Sequence, residues 1–202
     1  MSKYTTKDVQ SEVSGINFMD VGIHENCELK RIEYRVSDKG SEFMAFYFED
    51  EKGKTLAHTE YKPNDDDPDT LNNKITNQIK RVKHIATKFI TNEQFDCAFD
   101  TFKEFAEKTI KALGTSFVGK KVRLKVIYSW NNYTSLPKYV PFIESMDVLK
   151  EKSVLEISSI DKMTKDKRDE FPKVDNPLED LLSDSEEENT NESVPETSDL
   201  PF

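Results

Sequence analysis

From Asn26 to Val36 apolar and polar residues alternate, but the apolar set changes sides partway. Cys27 and Leu29 fall on odd positions, whereas Ile32, Tyr34 and Val36 fall on even ones. Strand side chains repeat every two residues, so the slip at Lys30-Arg31 predicts a strand carrying a β-bulge. Ser37-Asp38-Lys39-Gly40 reads as a turn, and Phe43 to Phe48 as a second strand with both faces apolar or aromatic. Glu51-Lys52-Gly53 is another turn, and Leu56 to Tyr61 a third strand. Beyond an acidic loop bounded by Pro63 and Pro68 the period changes. Leu71, Ile75, Ile79, Val82, Ala86 and Phe89 lie on one face of a helix, which Asp69 or Thr70 would cap. A second helix, capped by Thr91 or Asn92, carries Phe95, Ala98, Phe99, Phe102, Phe105, Ala106, Ile110 and Leu113 and stops at Gly114. Period two then returns: Val122, Leu124, Val126 and Tyr128 face one way, and Lys121, Arg123 and Lys125 the other. A loop from Trp130 to Lys138 leads to a strand near Tyr139 to Val148 and a further short one near Val154 to Ile157.

This order predicts a β-rich α+β protein. It fits an oligonucleotide/oligosaccharide-binding (OB) barrel, here five antiparallel strands with two helices inserted between the third and fourth. Other small α+β folds share the order. Residues 1–20 read as an N-terminal arm, 21–162 as the OB-like domain and 163–202 as an acidic tail.

Charge sharpens that division. The chain has 202 residues and a net charge of −10, yet from Asp175 onward there are ten acids and no Lys or Arg. The preceding residues therefore hold 29 acids and 29 bases and are neutral overall. The tail is too polar to offset the entropy of ordering, so it is expected to be disordered. No stretch is long and apolar enough to span a membrane, and the N-terminus lacks a signal peptide's apolar core. Two cysteines make no disulfide framework, so a cytoplasmic setting is expected, that of the host cell if the protein is viral.

Two features carry candidate binding chemistry. Residues 71–125 hold twelve bases and five acids. Lys74, Asn77, Arg81, His84 and Lys88 form a polar helix stripe, and Lys120, Lys121, Arg123 and Lys125 a basic line along a strand. Phosphate backbones are bound by such charges, with release of counterions. Five aromatics follow between Tyr128 and Phe142, together with Lys138. Trp130 and Tyr133 are flanked by Ser, Asn and Thr, which favours exposure. Stacking of bases on such rings contributes about 1–3 kcal/mol each. Tyr34, Phe43 and Tyr47 are further candidates, although one sheet face must be core. Finally, Asp199-Leu200-Pro201-Phe202 places an aromatic ring beside a free carboxylate at the end of the acidic tail, as a partner-binding tip.

The whole layout resembles single-stranded DNA-binding proteins of the replication type, a bacteriophage member more than a bacterial one. Bacterial members end in an acidic tail with a Pro-Phe tip, commonly Asp-Asp-Asp-Ile-Pro-Phe, and this chain ends Thr-Ser-Asp-Leu-Pro-Phe. The resemblance implies an OB fold and sequence-tolerant coating of single-stranded DNA in replication, recombination and repair. It also implies a tail that recruits replication and repair proteins and competes with DNA for the basic groove. Homo-oligomers are compatible with it.

Other chemistry is less well supported. An adaptor of a replisome or virion, with the tail peptide as its working part, is the main alternative. A metal-dependent nuclease would use Asp65, Asp66, Asp67 and Asp69, but acids crowded into one loop lack the separated partners of a two-metal site. His24 and Cys27 have zinc-like spacing without a second close pair. There is no Gly-rich phosphate loop, no His-Glu-x-x-His and no nucleophile elbow. A non-enzymatic binder without cofactor or metal is therefore expected.

Overall fold

The computed structural model describes residues 17–96, 98–129, 132–164 and 167. Three antiparallel strands come first: β1 (Gly22–Val36), β2 (Glu42–Glu49) and β3 (Thr55–Tyr61). Helices α1 (Pro68–Ala86), α2 (Asn92–Phe95) and α3 (Phe102–Leu113) follow. Then come β4 (Lys121–Tyr128), the short β5 (Thr134–Ser135) and β6 (Ile143–Ser145), and two 3-10 turns, Lys150–Lys152 and Ile160–Lys162. The sheet order is β3-β2-β1-β4-β5, with β6 also paired to β4. The chain is thus a β-rich α+β protein with an open antiparallel sheet.

The long β1 makes this order possible. Its second half pairs with β2 and its first half with β4. The predicted bulge lies between Leu29 and Arg31. A second irregularity, between His24 and Cys27, surrounds Asn26, whose φ is 56°. Each bulge adds twist and bends the strand, which lets one strand serve two partners at an angle.

The interior face carries Met44, Phe46 and Phe48 of β2 and Val122, Leu124 and Val126 of β4, all fully buried. Val82, Ile85 and Ala86 of α1 and Phe105, Ala106 and Leu113 of α3 close that core. Helix α1 starts where the Asp67 carboxylate accepts from the Thr70 N–H at 2.7 Å, with Pro68 in its first turn. The cap is therefore two or three residues earlier than predicted. At the far end Gly114, at φ 46°, ends α3 as expected.

Four expectations change. The single second helix is two, because Thr101 caps α3 by accepting from the Glu104 N–H and Asp96 is extended. The strand near Tyr139 to Val148 shrinks to β6, and Val154 to Ile157 forms no strand. A short strand, β5, lies inside the segment read as a loop. Residues 17–19 are tied down, since Phe18 bridges Thr55 in parallel and Met19 is wholly buried.

Candidate nucleic-acid interface

The pairing register fixes which strand residues point away from the core. Arg31, Glu33 and Arg35 of β1 sit opposite Tyr47, Ala45 and Phe43 of β2. The same β2 residues sit opposite Ala57, Thr59 and Tyr61 of β3. These nine form the outer face of the three-stranded half, because their neighbours Met44, Phe46 and Phe48 fill the interior. Tyr34 belongs to the interior set, packs on Phe102 with ring centroids 6.3 Å apart, and donates to Glu42 at 2.7 Å. Of the three candidate aromatics in this region, Phe43 and Tyr47 thus face outward and Tyr34 inward.

The outer face combines rings with cations. The Arg31 guanidinium lies 4.1 Å from the Tyr47 ring centroid, and the Tyr47 hydroxyl donates to Glu33. Phe43 and Tyr61 pack with centroids 5.5 Å apart. Arg31 and Arg35 are largely exposed and share the Glu33 carboxylate between them, each at 3.6 Å, and Phe18 adds an exposed ring beside Tyr47 and Ala57.

Beyond β3 this face runs into a groove of about 610 Å³ between β3 and the β4–β5 hairpin. Tyr61, Tyr133 and Tyr139 line it and are 59%, 76% and 51% exposed. Lys138 stands at the same wall, exposed. The backbone edge of β3 also opens into it. Lys62 N–H bonds Glu42 and Asp50 N–H bonds Lys54, so even-numbered β3 residues face β2. Odd-numbered residues then point to the free edge, where Asn17 and Met19 bond Thr55, and Gln78 donates to the Tyr61 carbonyl. Ala57 and Thr59, between them, have no partner for their edge N–H and C=O groups among the described residues. The groove therefore offers aromatic faces, an ammonium group and backbone donors and acceptors together.

The residues singled out from sequence divide sharply. Arg81 is not a free cation: its guanidinium, mostly buried, makes two 2.7 Å bonds to the buried Glu60 carboxylate, which also meets His58 at 3.0 Å. Lys74 is exposed but pairs with Asp65. Lys88 is half-buried, and its ammonium is depressed by that burial. Lys120 donates to the Phe89 carbonyl at 2.6 Å, and Lys121 is exposed opposite Glu28. Arg123 and Lys125 correct the reading of an exposed basic strand. Both are buried, Arg123 between Glu25 at 3.3 Å and Glu144 at 3.2 Å, and Lys125 against Asp161 at 2.8 Å. The segment after β6 covers this face of β4: Ser153 and Val154 bond Glu144, and Asp161 is buried in the second 3-10 turn. Alternation reported two faces correctly, but both are covered. Of the predicted set, Arg81, Tyr133 and Lys138 line the groove, Arg81 with its charge taken up by Glu60. Trp130 and the tip Asp199, Leu200, Pro201 and Phe202 lie outside the described residues.

Tyr61, Arg31 and Arg35 were not singled out. They are the cross-strand partners of Tyr47 and Phe43, so the pairing register places them and no pattern within one strand does. The metal candidates have other roles: Asp65 pairs with Lys74, Asp67 caps α1, and His24 meets Asp50 at 3.4 Å. Cys27 is buried, which pushes its thiol up to about 12. Among the described residues no group of three His, Cys, Asp or Glu is placed to hold a metal ion. Likewise, no described helix is long and apolar enough to cross a membrane.

No protein-family model matches the chain, and no curated protein matches it.

The charged supports of the groove predict an acid response. Burial raises the Glu60 pKa, but Arg81 and His58 outweigh it and hold it at about 2. Burial likewise opposes ionisation of Asp161, and Lys125, Tyr139 and Ser158 bring it to about 2. Both folded values lie below the ordinary values of 4.5 and 3.8, so their stabilisation is present above those values and is lost as pH falls towards about 2. His84 adds an earlier loss. Burial and then Lys88 lower it from 6.5 to about 4, so the unfolded chain binds its proton first as pH falls through that range. The melting temperature should decline from about pH 6.5 and fall further below pH 4.5. His84→Gln should flatten only the upper part. A melting temperature constant from pH 7 to pH 3 would contradict these assignments.

Proposed function

We propose that the chain is a non-enzymatic single-stranded nucleic-acid-binding protein that coats single-stranded DNA during replication, recombination and repair. The observation that carries this reading is the continuous outer surface. Phe43, Tyr47, Tyr61, Tyr133 and Tyr139 alternate there with Arg31, Arg35 and Lys138, on one sheet face and the groove beside it. Base–aromatic stacking tolerates any sequence because every base has a π-face, and nearby cations track the phosphates.

The topology supports the finer fold reading, an OB-like barrel. In such folds the second and third strands and the loops after the first and fourth strands bind oligonucleotides. Here β3 and β5 stand at opposite ends of the order β3-β2-β1-β4-β5, and His58 Nδ1 of β3 lies 3.4 Å from Ser135 Oγ of β5, a contact that favours closure. The groove sits at that junction, beside the loop after β4. In this proposal the acidic tail, with Asp199, Leu200, Pro201 and Phe202 at its tip, recruits replication and repair proteins.

The test is a titration of unlabelled oligo(dT) into the protein, followed by the fluorescence of its single tryptophan, Trp130, and by gel shift, at two salt concentrations. Saturable binding that weakens with salt and prefers single strands to duplex is expected. Absence of both quenching and a gel shift at low salt would move the reading to the adaptor alternative.

A further inference from the structure

Tyr139 differs from the other groove tyrosines in how it is held. Its hydroxyl donates to Asp161 Oδ1 at 2.6 Å and accepts from the Lys125 ammonium at 3.1 Å. Lys125 and Asp161 are themselves paired at 2.8 Å and buried. Asp161 is fixed in turn by the Ser158 N–H and hydroxyl, each at 2.8 Å. Every hydrogen-bonding group at the hydroxyl end is therefore inside the body, while the ring is half-exposed and lines the groove. The Lys125 nitrogen is 5.0 Å from the ring centroid but 3.1 Å from the hydroxyl, so it sits towards the hydroxyl end of the ring. Tyr133, by contrast, is 76% exposed.

We propose that Asp161, with Lys125, is a positioning residue that locks Tyr139 as a rigid stacking platform in the groove. This inference rests on the single-strand-binding reading. A ring fixed before binding loses little rotamer entropy when a base stacks on it, so preorganisation increases affinity without any new contact. The anchor comes from the segment that follows β6, which gives that segment a role beyond covering β4. Lys125, read from the sequence as a phosphate contact, acts through Tyr139 instead.

Tyr139→Phe is the cleanest test. It removes only the hydroxyl, keeps the ring and leaves the buried Lys125–Asp161 pair in place. Binding of oligo(dT) should weaken several-fold, by about three- to tenfold, against roughly tenfold or more for Tyr139→Ala, which also removes the stacking face. Asp161→Asn should weaken binding by a similar factor to Tyr139→Phe and also lower the melting temperature. In the Tyr139→Phe background it should lower the melting temperature without further loss of affinity. That last readout separates positioning from mere support of the fold. Wild-type affinity in Tyr139→Phe, or additive affinity losses in the double variant, would overturn the proposal. Failure of the wild-type protein to bind oligo(dT) would overturn the single-strand reading itself, and this inference with it.

Discussion

Replacing Arg123 by alanine is expected to destabilise the protein by about 3–5 kcal/mol, the usual cost of removing one partner of a buried ion pair. In a body of this size that corresponds to a fall in melting temperature of roughly 10 °C. Arg123 is 3% exposed and bonds Glu144, which is 6% exposed and takes further bonds from Ser153 and the Val154 N–H. Truncation leaves the Glu144 carboxylate buried with only the neutral Ser153 hydroxyl and Val154 N–H bonded to it. Circular dichroism melts would measure the loss. Replacing both Arg123 and Glu144 by apolar residues of similar volume should recover much of it, because the pair's net contribution is smaller than the penalty for breaking it. A variant with unchanged stability would show that the Arg123 charge is not buried as described. Burial divides the outcome of charge reversal along β4. At Lys121, which is exposed, reversal reports on binding, whereas at Arg123 and Lys125 it reports on folding.

The second large effect concerns affinity. Tyr61→Ala combined with Tyr133→Ala should weaken single-strand binding on the order of a hundredfold, taking about 1–3 kcal/mol for each base that loses its stacking partner. Both rings are mostly exposed, so the melting temperature should change little. Fluorescence anisotropy of a labelled oligonucleotide would read the affinity. The dependence on salt should keep its slope, since no phosphate contact is removed. Unchanged affinity in a folded double variant would remove these two rings from the interface.

Local patterns made most of the scaffold legible. The bulge near Lys30, the three-strand meander, the apolar stripe of α1 and the Gly114 stop all follow from period, turn residues and caps, which act within a few positions. The break between α2 and α3 was also written locally, in Thr101 and Glu104, whose mutual spacing is a capping signature. The continuous apolar spacing from Phe95 to Leu113 obscured it.

The candidate site was less legible, for a physical reason. Whether Arg123 and Lys125 meet solvent depends on Glu144 and Asp161, respectively 21 and 36 residues downstream, and no periodicity within β4 reports them. Arg81 is similar: a helical wheel puts it on a polar stripe, but Glu60 from β3 turns that stripe inward at this point. Tyr133 and Lys138 were readable because their neighbours are polar and local. Arg31, Arg35 and Tyr61 needed the cross-strand register, which the turns at Ser37 and Lys52 set only once the strands pair.

Photochemical cross-linking would locate the interface on the protein surface. Oligonucleotides carrying 5-bromodeoxyuridine at successive positions would be irradiated with the full-length protein, and the linked peptides mapped by mass spectrometry. The predicted result is cross-links at Tyr47, Tyr61, Tyr133 or Tyr139, on the outer sheet face and in the groove. Cross-links confined to Lys80 and Lys83 of α1 or to Lys88 just beyond it, with none on these tyrosines, would place the interface elsewhere.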